Sequence, residues 1–288
     1  MPEADIDVVE PRFVTGLPDE AAEFRQTVET PIGAPPLRNL IRADDTVAVV
    51  IPDITRPFPS DRVLPWLFES LPQVPAARFT IIVGTGSHRG NTAEELARMV
   101  GPEILRRYRV VNHDAFDRAT MLEVGRTAAG VPVLMNADYV RATKRILLGF
   151  VEPHFFAGFS GGYKAVMPGI ADIDSVMHYH RADLIGHPAS TWGVVEENPT
   201  QAHVRANGSL VPAHFAVQVT MNCKRQITRF FCGDVLQAHA RACDFARASA
   251  MAPCPRPYPV VITTNGGYPL DQNLYKSVKG MSAAAEVV

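Results

Sequence analysis

The segment Thr46–Ile51, with the sequence TVAVVI, is an unbroken run of apolar and mostly β-branched residues about as long as one strand. Such a run is typical of a strand that is buried on both faces of a parallel sheet. Arg78–Val83, RFTIIV, repeats the pattern, and Ser60–Leu71 between the two has apolar residues at helical spacing. These segments predict a strand, a helix and a second strand, which is the repeating unit of an α/β fold.

The same alternation continues along the chain. Asn91–Val100 and Asp234–Ser249 have the capping residues and periodicity of helices. Further strands are predicted at Arg109–Asn112, Val131–Leu134, Arg145–Phe150, His214–Thr220, Gln226–Phe231 and Pro259–Thr264. We therefore expect an α/β fold with a largely parallel sheet, helices on both faces, and ligands at the carboxyl ends of strands.

The two ends of the chain differ from this central part. Residues 1–44 are rich in proline and lack clear periodicity, which predicts an irregular lead-in before an α/β domain at 45–270. Residues 271–288 look like the start of a helix that continues to the last residue without a cap. This uncapped end predicts a missing continuation.

Composition excludes several classes of protein. The 288 residues contain 28 Lys and Arg against 30 Asp and Glu, so no net field favours nucleic acid or an anionic membrane. The longest apolar run, Val47–Ile51, is too short to span a bilayer, and the amino terminus is acidic. The four cysteines form no CxxC pair, which favours free thiols. We expect a cytoplasmic protein that binds neither nucleic acid nor membrane.

Polar residues follow the first predicted strand directly. Asp53-Ile54-Thr55-Arg56-Pro57 supplies a carboxylate, a hydroxyl and a guanidinium within four residues. Arg56 has the fork geometry that binds a carboxylate or phosphate through two parallel hydrogen bonds. A turn at Pro57 with a surface ion pair explains the same residues without any ligand.

A second polar segment, Gly84-Thr85-Gly86-Ser87-His88-Arg89, follows the second strand. Small residues there bring backbone N–H groups close to an anion, and His88 is placed to exchange a proton with a ligand. The segment does not match the GxGxxG dinucleotide fingerprint, and a single loop histidine is more often structural than catalytic.

The third segment, His154–Lys164 (HFFAGFSGGYK), places Gly158, Ser160, Gly161 and Gly162 before a lysine. Its spacing differs from the GxxxxGK[ST] phosphate loop, and Ala165 follows the lysine where a metal-binding hydroxyl belongs. These residues predict a cradle for a single phosphate rather than a nucleotide triphosphatase.

Downstream lies the sequence Met177-His178-Tyr179-His180. Two residues apart, its imidazoles point opposite ways on a strand and do not align on a helix, so they are not expected to bind one metal together. One of them serves as a single ligand, or both are surface histidines.

Taken together, these strings resemble the nickel-dependent lactate racemase family. The strings are DITRP, GTGSHR, HFFAGFSGGYK, MPGIAD, MHYH and GGYPLDQNLYKSVKGM, and their order along the chain matches the family from about Thr46 to Met281. HFFAGFSGGYK and GGYPLDQN are long and unusual, which makes chance agreement improbable. The resemblance implies the N-terminal catalytic domain of a two-domain architecture.

The resemblance also implies a cofactor and a reaction. Family members racemise 2-hydroxy acids with a nickel pincer nucleotide, nickel pyridinium-3,5-bisthiocarboxylic acid mononucleotide. By resemblance, Lys164 carries this cofactor through a thioamide and His180 is the protein ligand to nickel, completing a four-coordinate square-planar site. His88 and His154 match the two acid/base histidines, each taking the hydroxyl proton of one enantiomer while the Cα hydrogen moves to the cofactor as hydride.

Further residues match the substrate site. Arg56 and Lys279 correspond to the cations that bind the substrate carboxylate, Tyr275 to a neighbouring hydroxyl, and Asp53 to a group that orients its neighbours. From loop chemistry, rather than from the family motif, we expect the nucleotide phosphate to be held by Gly158, Ser160, Gly161, Gly162 and Thr85.

Two departures from the family pattern change the expectation. Lys276 replaces a glutamine beside the substrate site, which predicts a 2-hydroxy acid other than lactate, bulkier or with a second anionic group. Family chains continue past the KGM segment into another α/β domain, so this chain resembles an N-terminal fragment whose activity alone is open. Because separate maturation enzymes make the cofactor, we expect an apo form from ordinary expression.

Two other functions fit the residues. GFSGGYK can be a phosphate cradle in a nickel-free enzyme that binds a nucleotide or sugar phosphate, with His88 as the acid/base. Arg56 and Lys279 can instead hold a carboxylic acid in a non-catalytic binding domain. The fold alone does not decide among these alternatives.

Overall fold

A computed structural model describes residues 5–265, 267 and 274–288, apart from the side chains of Tyr275 and Lys276. The strands, numbered in chain order, are β1 Val47–Pro52, β2 Phe79–Gly84, β3 Arg109–Asn112, β4 Met121–Arg126, β5 Pro132–Asn136, β6 Lys144–Phe150, β7 Pro153–His154, β8 Gly158–Phe159, β9 Phe215–Met221 and β10 Ile227–Gly233. The helices are α1 Glu20–Glu29, α2 Leu37–Leu40, α3 Ser60–Glu69, α4 Ala93–Val100, α5 Pro102–Arg107, α6 Ala137–Arg141, α7 Ile173–Tyr179, α8 Ala182–Ile185, α9 Pro199–Gly208, α10 Val235–Ala250 and α11 Leu274–Ala285. A short 3₁₀ turn covers Gly162–Ala165.

Six strands form the central sheet in the order β10-β9-β6-β1-β2-β3. All neighbours pair in parallel except β10, which runs antiparallel to β9. The predicted α/β class with a largely parallel sheet is therefore confirmed. The separate pairs β4–β5 and β7–β8 are antiparallel.

Both faces of the sheet are covered. Successive residues of β1 alternate between two apolar cores: Val47, Val49 and Ile51 lie in one, and Ala48 and Val50 lie in the other. All five are fully or almost fully buried, which explains why β1 has no polar position in its sequence.

The chain order creates a crevice at one edge of the sheet. From β1 the chain adds β2 and β3 on one side, and it then crosses to place β6 on the other side of β1. Such a reversal of strand order leaves a ligand-sized gap at the carboxyl ends of the two central strands. The carboxyl ends of β1 and β6 meet at this point.

Two expectations about secondary structure are modified. The predicted irregular lead-in contains helix α1, which is capped by Asp19 and buries Phe24 and Val28 against the sheet. The sequence did not indicate this helix because two apolar positions are too few to show a helical period. The strand predicted at Val131–Leu134 exists as β5 but pairs with β4 outside the main sheet.

Pro259–Thr264 forms no strand, so that prediction is wrong. Val260 and Ile262 are 75% and 94% exposed, and no strand pairs with the segment within the described residues. Without a partner strand, β-branched composition alone does not produce a sheet. Among the described residues, no helix has both the length and the apolar character needed to cross a membrane.

Candidate active site

A cavity of about 460 Å³ lies at the carboxyl ends of β1, β2 and β6. Its volume is in the range of sites that bind small molecules and cofactors. The side chains on its wall that carry chemistry are Asp53, Arg56, Ser87, His88, Lys164 and His180. Residues that the sequence spreads over more than 120 positions are therefore brought to one place.

Asp53 and His88 form a hydrogen-bonded pair on the wall made by β1 and β2. The Nδ1 atom of His88 lies 2.7 Å from Oδ2 of Asp53, and the Thr55 hydroxyl donates to Oδ1 at 2.7 Å. Burial alone would raise the pKa of Asp53, but the hydrogen bond and charge of His88, with help from Thr55 and Arg56, hold it below its ordinary value. The ionised carboxylate keeps a proton on Nδ1 of His88, which leaves Nε2 as the basic nitrogen.

Arg56 projects from the same loop and pairs with an acidic residue of another segment. Its Nη1 atom lies 3.0 Å from Oε1 of Glu152, and both side chains are partly exposed. The sequence analysis did not identify Glu152 as a site residue. No local pattern joins it to Arg56, because 96 positions separate the pair.

Lys164 also lines the cavity, from the 3₁₀ turn. Its Nζ atom donates to the Tyr179 hydroxyl at 2.7 Å and lies 4.9 Å and 5.6 Å from the ring centres of Tyr179 and Phe156. Burial lowers the pKa of Lys164 well below its ordinary value, and the positive charges of Arg56 and Lys279 lower it further. The neutral amine, which is the nucleophilic form, is thereby favoured.

His180 caps the carboxyl end of α7 and lines the cavity. Its Nδ1 atom lies 2.7 Å from the Val176 carbonyl oxygen, so Nδ1 carries the proton and Nε2 is left as a donor atom for a metal. Its neighbour in the HxH pair, His178, contacts Arg181 and His203 instead. Within the described part of the chain, no three His, Cys, Asp or Glu side chains cluster to hold a metal ion.

His154 is buried beside the aromatic residues that surround Lys164. Its Nδ1 atom accepts long hydrogen bonds from the Ala157 and Phe156 amides, at 3.3 Å and 3.5 Å. Burial lowers the pKa of His154 well below its ordinary value, and the charges of Lys164, Lys279 and Arg56 act in the same direction. His154 is therefore a neutral imidazole with its proton on Nε2.

Lys279 lies on α11 and is half-buried. Its positive charge lowers the pKa of both Lys164 and His154. The side chains of Tyr275 and Lys276, which were predicted to contact substrate, lie outside the described residues.

Only some of the residues predicted to hold the nucleotide phosphate line the cavity. Ser160 and Gly161 line the cavity, as does Thr85. The Ser160 hydroxyl already donates to the Phe150 carbonyl oxygen, and the Thr85 hydroxyl donates to the His113 carbonyl oxygen.

Gly158 and Gly162 are not among the described residues that line the cavity. A Cβ atom at Gly158 would lie 1.8 Å from the Val194 carbonyl oxygen, and one at Gly162 would lie 2.9 Å from the His239 ring. The Gly162 amide donates to the Gln218 side chain at 3.1 Å. These two glycines are required by close packing within the protein.

Sequence reasoning also missed Phe156 and Tyr179, which surround the lysine amine. Both lie inside motifs quoted above, where apolar and aromatic residues carry no signal that separates a site wall from a core. The glycines of the GTG segment, Gly84 and Gly86, line the cavity as that loop's composition suggested.

Comparison with known protein families adds an independent finding. The sequence model of the lactate racemase N-terminal domain matches residues 1–193, and that of the lactate racemase C-terminal domain matches residues 255–288. Together these matches cover most of the chain.

Individual relatives give the same result. Lactate racemase from Lactiplantibacillus plantarum is 36% identical over 266 residues, which is 92% of this chain and 62% of the relative. Lactate racemase from Thermoanaerobacterium thermosaccharolyticum is 35% identical over 260 residues, 90% of this chain and 61% of the relative. The chain thus spans about three fifths of the length of these curated relatives.

Among solved structures, the lactate racemase apoprotein from Thermoanaerobacterium thermosaccharolyticum superposes with a TM-score of 0.88 at 31% sequence identity. The match covers 97% of this chain and 71% of that chain. The similarity therefore includes the sheet, the crevice and the segments around it.

Proposed function

The chain belongs to the lactate racemase family, and we propose that its cavity is the active site of a racemase or epimerase acting on 2-hydroxy acids. The observation that carries the proposal is that His88, Lys164 and His180 all line one cavity. Each of the three has a hydrogen bond that prepares a different nitrogen for a different task.

The residues fit a tethered nickel nucleotide. Lys164 offers an amine with a depressed pKa for covalent attachment, and His180 offers Nε2 as the one protein donor to nickel. Gly161 and Ser160 give the cavity a wall without bulky side chains. When bound, the nickel pincer nucleotide supplies the acceptor for the hydride that leaves the substrate Cα.

Arg56 and Lys279 supply the charge that attracts the substrate carboxylate. The Arg56 guanidinium has five N–H donors and gives one of its arms to Glu152, so the same side chain has further donors for a ligand. The charges of both cations lower the pKa of Lys164 and of His154. A substrate carboxylate bound by these cations would therefore place its reacting carbon near Lys164 and His154.

The two histidines handle the hydroxyl proton. His88, with Asp53 on Nδ1, is prepared to accept a proton at Nε2. His154 is neutral, and its Nδ1 atom accepts hydrogen bonds from two backbone amides, so it acts as an acid only after it has taken up a proton. In the proposed reaction each histidine accepts the hydroxyl proton of one enantiomer and, once protonated, returns a proton to form the other.

Substrate, partners and location are part of the same proposal. Lys276 adds a cation that favours an acid bulkier than lactate or one with a second carboxylate. Maturation enzymes supply the cofactor, and the protein acts in the cytoplasm.

The test is racemisation by protein produced together with the maturation enzymes. Single enantiomers of lactate and malate are incubated with the protein, and the loss of optical activity is followed. We expect racemisation of a 2-hydroxy acid, with malate faster than lactate. Each of His88→Asn and His154→Asn should lower the rate by about 10²–10⁴-fold.

Two results would contradict the proposal. Nickel-loaded protein that changes neither acid nor longer 2-hydroxy acids would remove the racemase assignment. Lactate racemised faster than malate and longer acids would leave the reaction but refute the interpretation of Lys276.

A further inference from the structure

We propose that the amine of Lys164, while it carries no other covalent bond, forms a reversible imine with small 2-keto acids that enter the cavity. This activity belongs to the cofactor-free protein and differs from racemisation. It makes the cavity a site for covalent capture of a class of metabolite defined by an adjacent carbonyl and carboxylate.

The position of the amine supports this reactivity. Lys164 is only partly buried and lines the cavity, so its side chain is reachable from that space. The hydrogen bond to the Tyr179 hydroxyl and the contacts with the Tyr179 and Phe156 rings fix Nζ at the inner wall. A lysine held in one place loses less side-chain entropy when it bonds to a ligand.

The electrostatic environment supplies the required protonation state. An amine attacks a carbonyl carbon only when its lone pair is free, and most surface lysines are protonated at neutral pH. Apolar burial beside a second cation is the general arrangement that frees a lysine for this chemistry. Burial and the charges of Arg56 and Lys279 act on Lys164 in this way.

The same two cations select the ligand. Arg56 lines the cavity, and Lys279 acts on both Lys164 and the neighbouring His154. A carboxylate held by these groups places the adjacent keto carbon next to the amine, whereas a simple aldehyde gains nothing from them.

The step balances without a further reactant. The neutral Lys164 amine bonds to the keto carbon and gives up both of its nitrogen-bound protons, and the carbonyl oxygen takes them up and leaves as water. A C=N bond replaces the C=O bond, with no change of oxidation state. Added water reverses the reaction, and borohydride, which donates hydride to the imine carbon, makes the bond permanent.

The test is borohydride trapping on the cofactor-free chain. Protein made without maturation enzymes is mixed with pyruvate at neutral pH, reduced with sodium borohydride, digested, and analysed by peptide mass. We expect the Lys164 peptide to be modified at least about tenfold faster than the peptide of the exposed Lys224 in the same digest. Equal rates for the two lysines would overturn the proposal.

Ligand class is tested with acetone, which has the methyl ketone of pyruvate but lacks the carboxylate. Pyruvate should modify Lys164 faster than acetone does, and Arg56→Gln should reduce that preference. If acetone modifies Lys164 as fast as pyruvate, the amine is reactive but the site does not select keto acids, and the proposal as stated fails.

A matched pair of tyrosine variants tests the positioning of the amine. Tyr179→Phe removes the hydroxyl that holds Nζ, whereas Tyr139→Phe removes a buried hydroxyl that bonds the Val211 carbonyl oxygen away from the cavity. Slower trapping in Tyr179→Phe alone supports the proposal; equal slowing in both contradicts a specific role. Because no nickel is present, this outcome is independent of racemase activity.

Discussion

The segments that carry His88 and His154 reach the same cavity but are built in opposite ways. His88 lies on an open loop after β2, is 38% exposed, and is held by the side chain of Asp53. His154 lies in the two-residue pair β7–β8, is 6% exposed, and is held by backbone amides. A carboxylate partner stabilises a charged imidazole, whereas burial among amides and cations keeps one neutral.

The two histidines are therefore not equivalent at rest: His88 lines the cavity, whereas His154 is buried and is not among the described residues that line it. The bonded nitrogen is Nδ1 in both, but it donates in His88 and accepts in His154. The rings therefore differ at Nε2, which is free to accept a hydrogen bond in His88 and carries the proton in His154. The predictions below alter one segment at a time.

The largest effect is expected from Asp53→Asn, which removes the charge that distinguishes His88 from His154. The amide no longer stabilises a proton on Nδ1 or a positive charge on the ring, so the basic nitrogen is no longer fixed as Nε2. We expect racemisation by nickel-loaded protein to fall by about 10²–10⁴-fold, with an unchanged unfolding midpoint. Optical activity and urea unfolding provide the two measurements.

A substitution at Asp53 that left turnover within about threefold of the parent would contradict the role of the pair. Thr55→Val serves as the control, because it removes the hydroxyl hydrogen bond to Oδ1 of the same carboxylate and leaves the contact between Asp53 and His88 in place.

A second comparison sets Gly158 against Gly86, one glycine from each histidine segment. Both have positive φ, 73° and 55°, but a Cβ at Gly158 would meet the Val194 carbonyl oxygen at 1.8 Å, whereas at Gly86 the nearest atom is 3.6 Å away. We expect Gly158→Ala to cost about 3 kcal/mol of unfolding free energy and Gly86→Ala about 1 kcal/mol. Urea denaturation measures both, and similar costs would mean that the His154 segment is not the tighter one.

A smaller effect on the free energy of unfolding is expected from a change of pH, through the protonation of His239. His239 bonds the Ser160 carbonyl oxygen, and burial lowers its pKa from 6.5 to about 4. Because the unfolded chain binds this proton more readily, the stability that His239 contributes is present above pH 6.5 and is lost as pH falls towards 4.

The corresponding variant is His239→Gln, which retains a donor but does not titrate. Between pH 6 and pH 5, the parent should lose about 1 kcal/mol more unfolding free energy than the variant does. Parallel pH profiles for the two proteins would show that folding does not lower the pKa of His239.

The parts of the fold that the sequence predicts are those governed by local apolar pattern. β1, β2 and β6 lie within a residue of their predicted bounds, because each has a buried centre made of a continuous apolar run. The segment Pro259–Thr264 has similar composition but no partner strand, and pairing is not encoded in the segment itself.

The sequence likewise predicts some residues of the candidate site and not others. Asp53, Arg56, His88, Lys164 and His180 were all named from motifs and all line the cavity. Gly158 and Gly162 were assigned to a ligand because a glycine looks the same in sequence whether it makes room for a phosphate or for a carbonyl oxygen. Glu152 was missed because its partner is distant along the chain.

The central proposal is that Lys164 and His180 together hold one tethered nickel group in the cavity that His88 also lines. Protein produced with the maturation enzymes is analysed for nickel and for the mass of the Lys164 peptide, with His180→Ala and Lys164→Ala in parallel. We predict nickel and a modified Lys164 peptide in the parent, a modified peptide with less nickel in His180→Ala, and neither in Lys164→Ala. An unmodified Lys164 peptide in active, nickel-containing protein would contradict the account.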